Sequence, residues 1–259
     1  MKVVILAGGF GTRISEESHL RPKPMIGIGE MPILWHIMKG YSHYGFDEFI
    51  ICCGYKAHMI KEYFASYYLH RSDVTFDFGR HNDMTVHHNV AEQWKVTLVD
   101  TGLPTMTGGR LLRVRKYLDD QPFMMTYGDG VSDVDLKALL AFHQKSGKMA
   151  TLTAVTNAQR FGILDIDESG LVHAFREKSM GDTSKINAGF MVLQPEIFDL
   201  IEGDQTVFEK KPLEQLVEMG QLAAYPHHGF WQCMDTQRDK HRLEELWKEG
   251  RAPWKVWTE

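Results

Sequence analysis

The chain has 259 residues, of which 43% are hydrophobic and 24% are charged. These values are ordinary for a globular protein, and this length can bury the core of one large α/β domain. The formal net charge of −5 argues against a nucleic-acid-binding protein, which would be expected to carry a basic face. No apolar run is long enough to span a membrane, and no segment reads as a signal peptide, so we expect no membrane partner.

The cysteine content predicts a cytoplasmic protein. Cys52 and Cys53 are adjacent within an apolar run, and Cys233 stands alone. Neither a disulfide framework nor a C-x-x-C metal pair can be drawn from three such positions. Free cysteines of this kind fit a reducing compartment.

The first predicted strand, Val3–Leu6, leads directly into a glycine-rich turn. The segment 6–14 reads LAGGFGTRI, and Arg13 provides a positive charge within it. Glycine permits the close approach and the positive φ values with which backbone N–H groups can face phosphate oxygens. The Walker and dinucleotide-binding patterns are both excluded, because Gly11 is followed by Thr12 and Arg13 and a third spaced glycine is absent.

A second cation, Lys23, lies between Pro22 and Pro24. Each proline fixes its own φ, so this segment loses little conformational entropy when the lysine meets an anion. The glycine-rich turn followed by this lysine predicts a polyphosphate-binding site at the start of the chain.

Apolar runs alternate with helical patterns through the first 155 residues, which favours a mainly parallel sheet covered on both faces. Beyond the first strand, the predicted strands are 49–53, 96–100, 123–127 and 150–155. The predicted helices are 32–44, 59–69, 109–118 and 135–146, with Asp133 or Asp135 as the cap of the last. The charged segment 73–93 interrupts this pattern and predicts a projecting hairpin or loop.

After residue 160, short apolar runs separated by Gly or Asp predict antiparallel strands that form a substrate platform. These runs are 161–167, 171–177 and 186–193, and the amphipathic helices 208–219 and 237–248 follow. We expect one domain over 1–259, in which residues 1–155 bind a nucleotide and residues 156–259 complete the second substrate site. The predicted fold is therefore α/β, with a Rossmann-like sheet flanked by helices and a smaller antiparallel part.

Two aspartates are candidate metal ligands. Asp129 lies between Gly128 and Gly130 after a predicted strand, at the sheet edge where open parallel sheets bind ligands. Asp235 precedes the last predicted helix, where it could equally cap that helix. Mg²⁺ takes oxygen ligands and usually keeps its phosphates and waters, so two carboxylates near a phosphate loop favour magnesium binding.

Further polar residues are candidates for a second substrate site. Glu177 and Lys178 end a predicted strand, and Asn187 lies in the segment INAGF (186–190). The lysine could bind a phosphate monoester, while the other two side chains could hydrogen-bond hydroxyl groups. Arg110 follows a glycine pair and is another candidate cation. Each of these residues could also be an ordinary surface or strand-end residue. The adjacent histidine pairs lack the i, i+4 spacing of a helical zinc site.

Together these motifs resemble the sugar-phosphate nucleotidyltransferases, and within them the glucose-1-phosphate cytidylyltransferase branch. The motifs that carry the resemblance are LAGGFGTRI (6–14), RPKPM (21–25), PILWHIMK (32–39), ICCGYK (51–56), VTLVDTG (96–102), MTGGR (106–110), TYGDG (126–130), INAGF (186–190) and MDT (234–236). They extend over nearly the whole chain.

The resemblance implies transfer of a cytidylyl group from CTP to glucose 1-phosphate, with Mg²⁺ as cofactor, in a homo-oligomer that serves bacterial deoxysugar or O-antigen synthesis. The implied nucleotide-binding residues are Leu6, Ala7, Gly8, Gly9, Phe10, Gly11, Thr12, Arg13, Lys23, Thr105, Arg110 and Gly128. Asp129 and Asp235 would hold the metal, with Arg13, Lys23 and Asp129 as catalytic residues. Glu177, Lys178 and Asn187 would bind the sugar phosphate.

One departure from the family pattern affects the acceptor site. The family usually has Glu-Lys-Pro, and Ser179 stands here in place of the proline. Ser179 therefore leaves open a cytidylyltransferase for another phosphorylated acceptor. A separate alternative is a non-catalytic nucleotide-binding regulatory protein.

Overall fold

The structure is a computed structural model that describes residues 1–156, 163–167, 170–176 and 185–258. Its strands are β1 Lys2–Leu6, β2 Gly27–Ile28, β3 Met31–Pro32, β4 Glu48–Cys53, β5 Ser72–Asp77, β6 Asp83–Asn89, β7 Lys95–Asp100, β8 Phe123–Tyr127, β9 Gly130–Ser132, β10 Ala150–Thr156, β11 Ile163–Ile166, β12 Val172–Arg176, β13 Lys185–Asn187, β14 Met191–Leu193, β15 Leu222–His227 and β16 Trp231–Cys233. Its α-helices are α1 Ser15–Ser18, α2 Ile33–His43, α3 Ala57–Ala65, α4 Tyr67–His70, α5 Thr107–Val114, α6 Leu136–Ser146, α7 Lys211–Glu218 and α8 Gln237–Lys248.

One large mixed sheet forms the centre of the molecule. Its strand order is β12-β11-β13-β10-β14-β8-β1-β4-β7, and β15 also pairs with β10. The neighbours β8, β1, β4 and β7 are all parallel, whereas β14, β13, β11 and β12 join the sheet through antiparallel pairs. The predicted α/β fold, with a parallel sheet and an antiparallel extension, is confirmed.

The first strand shows why the parallel part is buried on both faces. Val3 and Ile5 belong to one hydrophobic cluster, together with residues of α2 and the C-terminal Trp254. Val4 belongs to a second cluster on the other face, with residues of α5 and α7. A continuous apolar run is typical of a strand covered by helices on both sides. The glycine-rich turn therefore leaves the sheet from a fixed, buried strand.

Side-chain caps fix the start of α6 and of α8. Asp135 caps α6 by accepting hydrogen bonds from the backbone N–H groups of Lys137 and Ala138. Thr236 and Asp239 form a capping box at the start of α8, which holds the segment just before it. Among the described residues, no helix is both long and apolar enough to cross a membrane.

The structure corrects two details of the strand pattern. The predicted strand 186–193 is two strands, β13 and β14, because Gly189 and Phe190 adopt positive φ values of 75° and 47° between them. Strands β2, β3, β9, β15 and β16 were not predicted, and β15 pairs with β10 in parallel. The charged segment 73–93 contains the antiparallel hairpin β5–β6, as predicted.

Candidate active site

A cleft of about 910 Å³ opens at the carboxyl ends of β1 and β8. Thirteen of the candidate residues line it: Leu6, Ala7, Gly8, Gly9, Phe10, Gly11, Thr12, Arg13, Lys23, Thr105, Arg110, Gly128 and Asp129. The loop, the lysine and the glycine-flanked aspartate thus share one cavity. Its volume is within the range of small-molecule sites in proteins.

The glycine-rich loop is anchored at its start and open at its centre. The N–H of Ala7 donates to the carbonyl of Cys52, and the N–H of Tyr55 donates to the carbonyl of Gly8, which joins the loop to the end of β4. A Cβ atom at Gly8 would lie 2.1 Å from the guanidinium of Arg110, whereas a Cβ atom at Gly9 would meet nothing within 4 Å. The protein itself therefore requires glycine at position 8, while the open space at Gly9 faces the cleft.

Arg110 is buried and holds three segments together. Its guanidinium donates to the hydroxyl of Thr101 at 2.7 Å and to the carbonyls of Gly8 at 3.1 Å, Cys53 at 3.2 Å and Leu103 at 3.3 Å. Burial lowers the pKa of this guanidinium from its ordinary value. These bonds direct the Arg110 guanidinium towards the protein interior. From there it fixes the conformation of the glycine-rich loop by binding the carbonyl of Gly8.

Lys23 lies between the two candidate metal ligands. Its ammonium donates to Asp129 at 2.7 Å and also to Asp235, and the lysine side chain is only 11% exposed. Burial alone would lower the pKa of Lys23, but the two carboxylates outweigh it and hold the pKa above its ordinary value. Asp129 and Asp235 therefore converge on a single cation.

Arg13 completes this ion cluster from the solvent side. Its guanidinium donates to Asp235 at 2.5 Å, while its own side chain is 64% exposed. The cluster formed by Arg13, Lys23, Asp129 and Asp235 contains two positive and two negative charges. It joins the glycine-rich loop to a segment more than 200 residues away in the sequence.

Pairing between β9 and β16 brings the two aspartates together. Gly130 is the register partner of Cys233, and the N–H of Met234 donates to the carbonyl of Asp129 at 2.8 Å. The N–H of Asp235 in turn donates to Asp239 in the first turn of α8. Asp235 therefore does not cap α8, since Thr236 and Asp239 do so, and its carboxylate pairs with Lys23 and Arg13 instead.

The two carboxylates form a donor set that suits a hard divalent cation. Both supply oxygen atoms, and both already face one positive charge, the Lys23 ammonium. Within the described residues, no group of three or more His, Cys, Asp or Glu side chains could hold a metal. A pair of carboxylates is the set from which Mg²⁺ is bound together with substrate phosphates and waters.

A hydrogen-bonded group borders the cleft on the side of the antiparallel strands. The hydroxyls of Tyr127 and Thr107, which both line the cleft, donate to opposite oxygens of Glu209. Asn187 hydrogen-bonds the Tyr127 phenol and accepts from the N–H of Gly189 at 2.9 Å. Among the predicted acceptor residues, Asn187 is thus placed beside the cleft.

The sequence prediction missed some residues of the site, and two predicted residues lie outside the part of the chain that the structure describes. Tyr127 and Thr107 belong to the motifs TYGDG and MTGGR, so their motifs were identified without their side chains being singled out. No sequence motif indicated Glu209. Glu177 and Lys178 fall outside the described residues.

The glycine-rich loop, the buried Lys23 and Asp129 lie together at the carboxyl ends of β1 and β8, and Asp235 joins them through its ion pair with Lys23. Residues 2–236 match the family described as nucleotidyl transferase. The chain belongs to this family, because the match extends over most of its length.

The similarity to individual curated proteins is more specific than the family match. The chain is 58% identical over 258 residues to the glucose-1-phosphate cytidylyltransferase of Salmonella typhi, covering 99% of this chain and 100% of the relative. It is 43% identical, with the same coverage, to the probable glucose-1-phosphate cytidylyltransferase of Bacillus subtilis.

Solved structures share the fold. HddC from Yersinia pseudotuberculosis is 25% identical, with a TM-score of 0.77 over 95% of this chain and 99% of that chain. A UDP-glucose pyrophosphorylase crystallised with UDP-glucose is 16% identical, also with a TM-score of 0.77, over 96% of this chain and 99% of that chain. At this identity, the second likeness concerns the fold alone.

Proposed function

We propose that this protein transfers the cytidylyl group of CTP to α-D-glucose 1-phosphate and produces CDP-glucose and pyrophosphate. The observation that carries the proposal is the 58% identity, over the full length of both chains, to a glucose-1-phosphate cytidylyltransferase. The cleft supports it, since the residues that such a reaction needs for a triphosphate lie within one cavity.

The nucleotide lies, in this proposal, against the loop 6–13, with Gly128 beneath it and Thr105 beside it. Arg13 and Lys23 offset the charge of the triphosphate. Arg13 is suited to this because its guanidinium is largely exposed, and Lys23 because it lines the cleft beside the glycine-rich loop. Arg110 contributes by holding the carbonyl of Gly8 and hence the shape of the loop.

Asp129 and Asp235 would hold Mg²⁺. When bound, the ion would neutralise charge on the triphosphate and on the departing pyrophosphate. In the structure both carboxylates contact the Lys23 ammonium, which supports a shared cation position. We propose that Lys23 moves from this position towards the phosphates when the metal and nucleotide bind.

The acceptor would bind on the side of Asn187. By resemblance, Glu177 and Lys178 would contact its hydroxyl and phosphate groups. Residues 1–155 would then provide the nucleotide side of a single domain over 1–259, and residues 156–259 would provide the acceptor side. The sheet supports this division, because its parallel strands border the loop and its antiparallel strands carry Asn187.

The chemistry requires no general base. A phosphate oxygen of glucose 1-phosphate attacks the α-phosphorus of CTP, the new P–O bond forms, and the bond to pyrophosphate breaks with its electron pair leaving on the departing oxygen. The main obstacle is repulsion between two polyanions. Two like unit charges about 4 Å apart repel by roughly 4 kcal/mol at an effective dielectric constant of about 20. Fixed cations reduce this cost, and the cleft orients the reactants in line.

A pyrophosphate-release assay against a panel of nucleoside triphosphates and sugar 1-phosphates tests the proposal. We expect the highest kcat/KM for CTP with glucose 1-phosphate in the presence of Mg²⁺. Preference for another phosphorylated acceptor would support the alternative in which Ser179 marks a changed pocket. Tight CTP binding without pyrophosphate release from any acceptor would support a regulatory protein.

We also propose that the chain forms a homo-oligomer. The hairpin β5–β6 exposes Phe76, Phe78 and Met84, with exposed fractions of 50%, 79% and 42%. Such an apolar patch is typical of an interaction surface. Light scattering of the wild type and of Phe78→Ser tests this, and an unchanged mass would exclude Phe78 from the interface. We propose a cytoplasmic location and a role in bacterial surface deoxysugar synthesis on the basis of the resemblance.

A further inference from the structure

Glu209 hydrogen-bonds two residues that line the cleft, Tyr127 and Thr107. It precedes α7 and is half-buried. Its Oε1 accepts a hydrogen bond from the Tyr127 hydroxyl at 2.6 Å, and its Oε2 accepts one from the Thr107 hydroxyl at 2.5 Å. One carboxylate thus reaches the end of β8 and the start of α5 at the same time.

The start of α5 does not depend on this carboxylate alone. The Thr107 hydroxyl also accepts a hydrogen bond from the N–H of Phe208 at 2.9 Å. The N–H of Met106 donates to the carbonyl of Asp204, and that of Gly108 donates to the carbonyl of Thr206. These backbone bonds would keep the nucleotide side in place if the bond to Glu209 were lost.

The Tyr127 phenol is oriented by Glu209 and by Asn187. The phenol donates its hydrogen to Oε1 of Glu209 at 2.6 Å, which sets the direction of the O–H bond. Its oxygen lone pairs are then directed away from Glu209. Asn187 approaches the phenol on the acceptor side of the cleft.

We infer that Glu209 is a positioning residue for the acceptor: it fixes the Tyr127 hydroxyl so that the phenol oxygen accepts a hydrogen bond from a hydroxyl of the sugar phosphate. This inference rests on the proposed function, because it takes the acceptor to be a sugar 1-phosphate bound on the side of Asn187. Glu209 acts through Tyr127 and has no part in the bond-making step.

The asymmetry between its two partners makes the effect of Glu209 selective for one substrate. Glu209→Ala is expected to raise the KM for glucose 1-phosphate about tenfold, the equivalent of one lost hydrogen bond, and to leave the KM for CTP within about twofold. Glu209→Gln, which keeps an acceptor oxygen for the Tyr127 hydroxyl, is expected to restore the KM for glucose 1-phosphate to within about threefold of the wild type.

The test is a double-mutant cycle in the pyrophosphate-release assay. Tyr127→Phe should raise the same KM by a similar factor, and adding Glu209→Ala to it should produce little further change, because both variants remove one interaction. Glu214→Ala, an exposed glutamate on α7, is the matched control and should change neither KM. If Glu209→Ala does not fold, Glu209→Asp replaces it, since the shorter side chain withdraws the carboxylate from Tyr127.

Three results would overturn the inference: an unchanged KM for glucose 1-phosphate, equal rises in both KM values, or factors that multiply in the double variant. Equal rises with a lowered melting temperature would indicate a structural role only. Failure of the proposed function is distinguishable, because in that case the wild type itself would not turn over CTP and glucose 1-phosphate.

Discussion

On the proposed nucleotide side of the cleft, the glycine-rich loop and Lys23 come from one continuous segment, residues 6–25, whereas on the proposed acceptor side Tyr127, Asn187 and Glu209 come from three separate parts of the chain. The nucleotide side consists of charged groups that are already paired with one another. The acceptor side relies on hydrogen bonds around a protonated phenol.

Under the proposed function, this difference would explain how each substrate is recognised. A triphosphate and a divalent ion bring charge, so the side that receives them holds two cations and two anions whose partners can be exchanged. A sugar brings hydroxyl groups, which need oriented donors and acceptors. We therefore expect substitutions on the nucleotide side to have large electrostatic effects on activity or stability. Each substitution on the acceptor side should weaken substrate binding by about the free energy of one hydrogen bond.

The largest effect is expected for Asp129→Asn, at the junction of the two sides. Asparagine keeps the size of the side chain but removes the charge that would bind the metal. We predict a loss of about 10³-fold in kcat, or about 4 kcal/mol of barrier, by analogy with the loss of a preorganised electrostatic group. Pyrophosphate release measures this, with Asp119→Asn at the amino ends of the strands as control. A wild-type rate for Asp129→Asn would remove the metal assignment.

Lys23→Ala should show that the nucleotide side depends on its internal ion pairs. The substitution leaves the carboxylates of Asp129 and Asp235 together without their shared cation, which should lower the free energy of unfolding by about 3 kcal/mol and raise the KM for CTP. Mg²⁺ alone should then raise the melting temperature of this variant more than that of the wild type. An equal effect of Mg²⁺ on the two proteins would contradict a shared cation position.

Alanine at each of two adjacent glycines should separate folding from binding. Gly8→Ala places a Cβ atom 2.1 Å from the Arg110 guanidinium, so it should lower the free energy of unfolding by about 2 kcal/mol. Gly9→Ala meets no protein atom within 4 Å, so it should leave stability unchanged and raise the KM for CTP. Chemical denaturation and kinetics measure the two effects, and equal destabilisation would show that the loop is packed differently.

The smallest effect is expected for Asn187→Ala on the acceptor side. Loss of its contact with the Tyr127 phenol should raise the KM for glucose 1-phosphate about fivefold to tenfold, close to 1 kcal/mol. The KM for CTP should remain nearly constant. If the KM for CTP rose instead, the proposed allocation of the two sides would be reversed.

The sequence predicted the parts of the molecule that depend on neighbouring residues. An apolar run ending in glycines identified β1 and its loop. Asp135 was predicted as a candidate cap of α6 because a capping residue directly precedes its helix in the sequence. The proximity of Asp129 and Asp235 was predicted from the ligand chemistry of magnesium and from the resemblance, and from no local pattern, since it depends on pairing between β9 and β16, which are about 100 residues apart.

Other features were beyond prediction because they depend on long-range packing. The direction of the Arg110 guanidinium is set by carbonyls of three other segments, and Glu209 reaches Tyr127 across 82 residues. The break between β13 and β14 requires positive φ at Phe190, a conformation that its residue type does not indicate.

The most direct test of the central claim is calorimetric titration of CTP into the wild type, Asp129→Asn and Asp235→Asn, each with and without Mg²⁺. If both carboxylates hold one ion with the triphosphate, Mg²⁺ should strengthen CTP binding to the wild type by about tenfold or more, and both variants should lose this gain. The same Mg²⁺-dependent gain in either variant would contradict the claim that Asp129 and Asp235 together form the metal site.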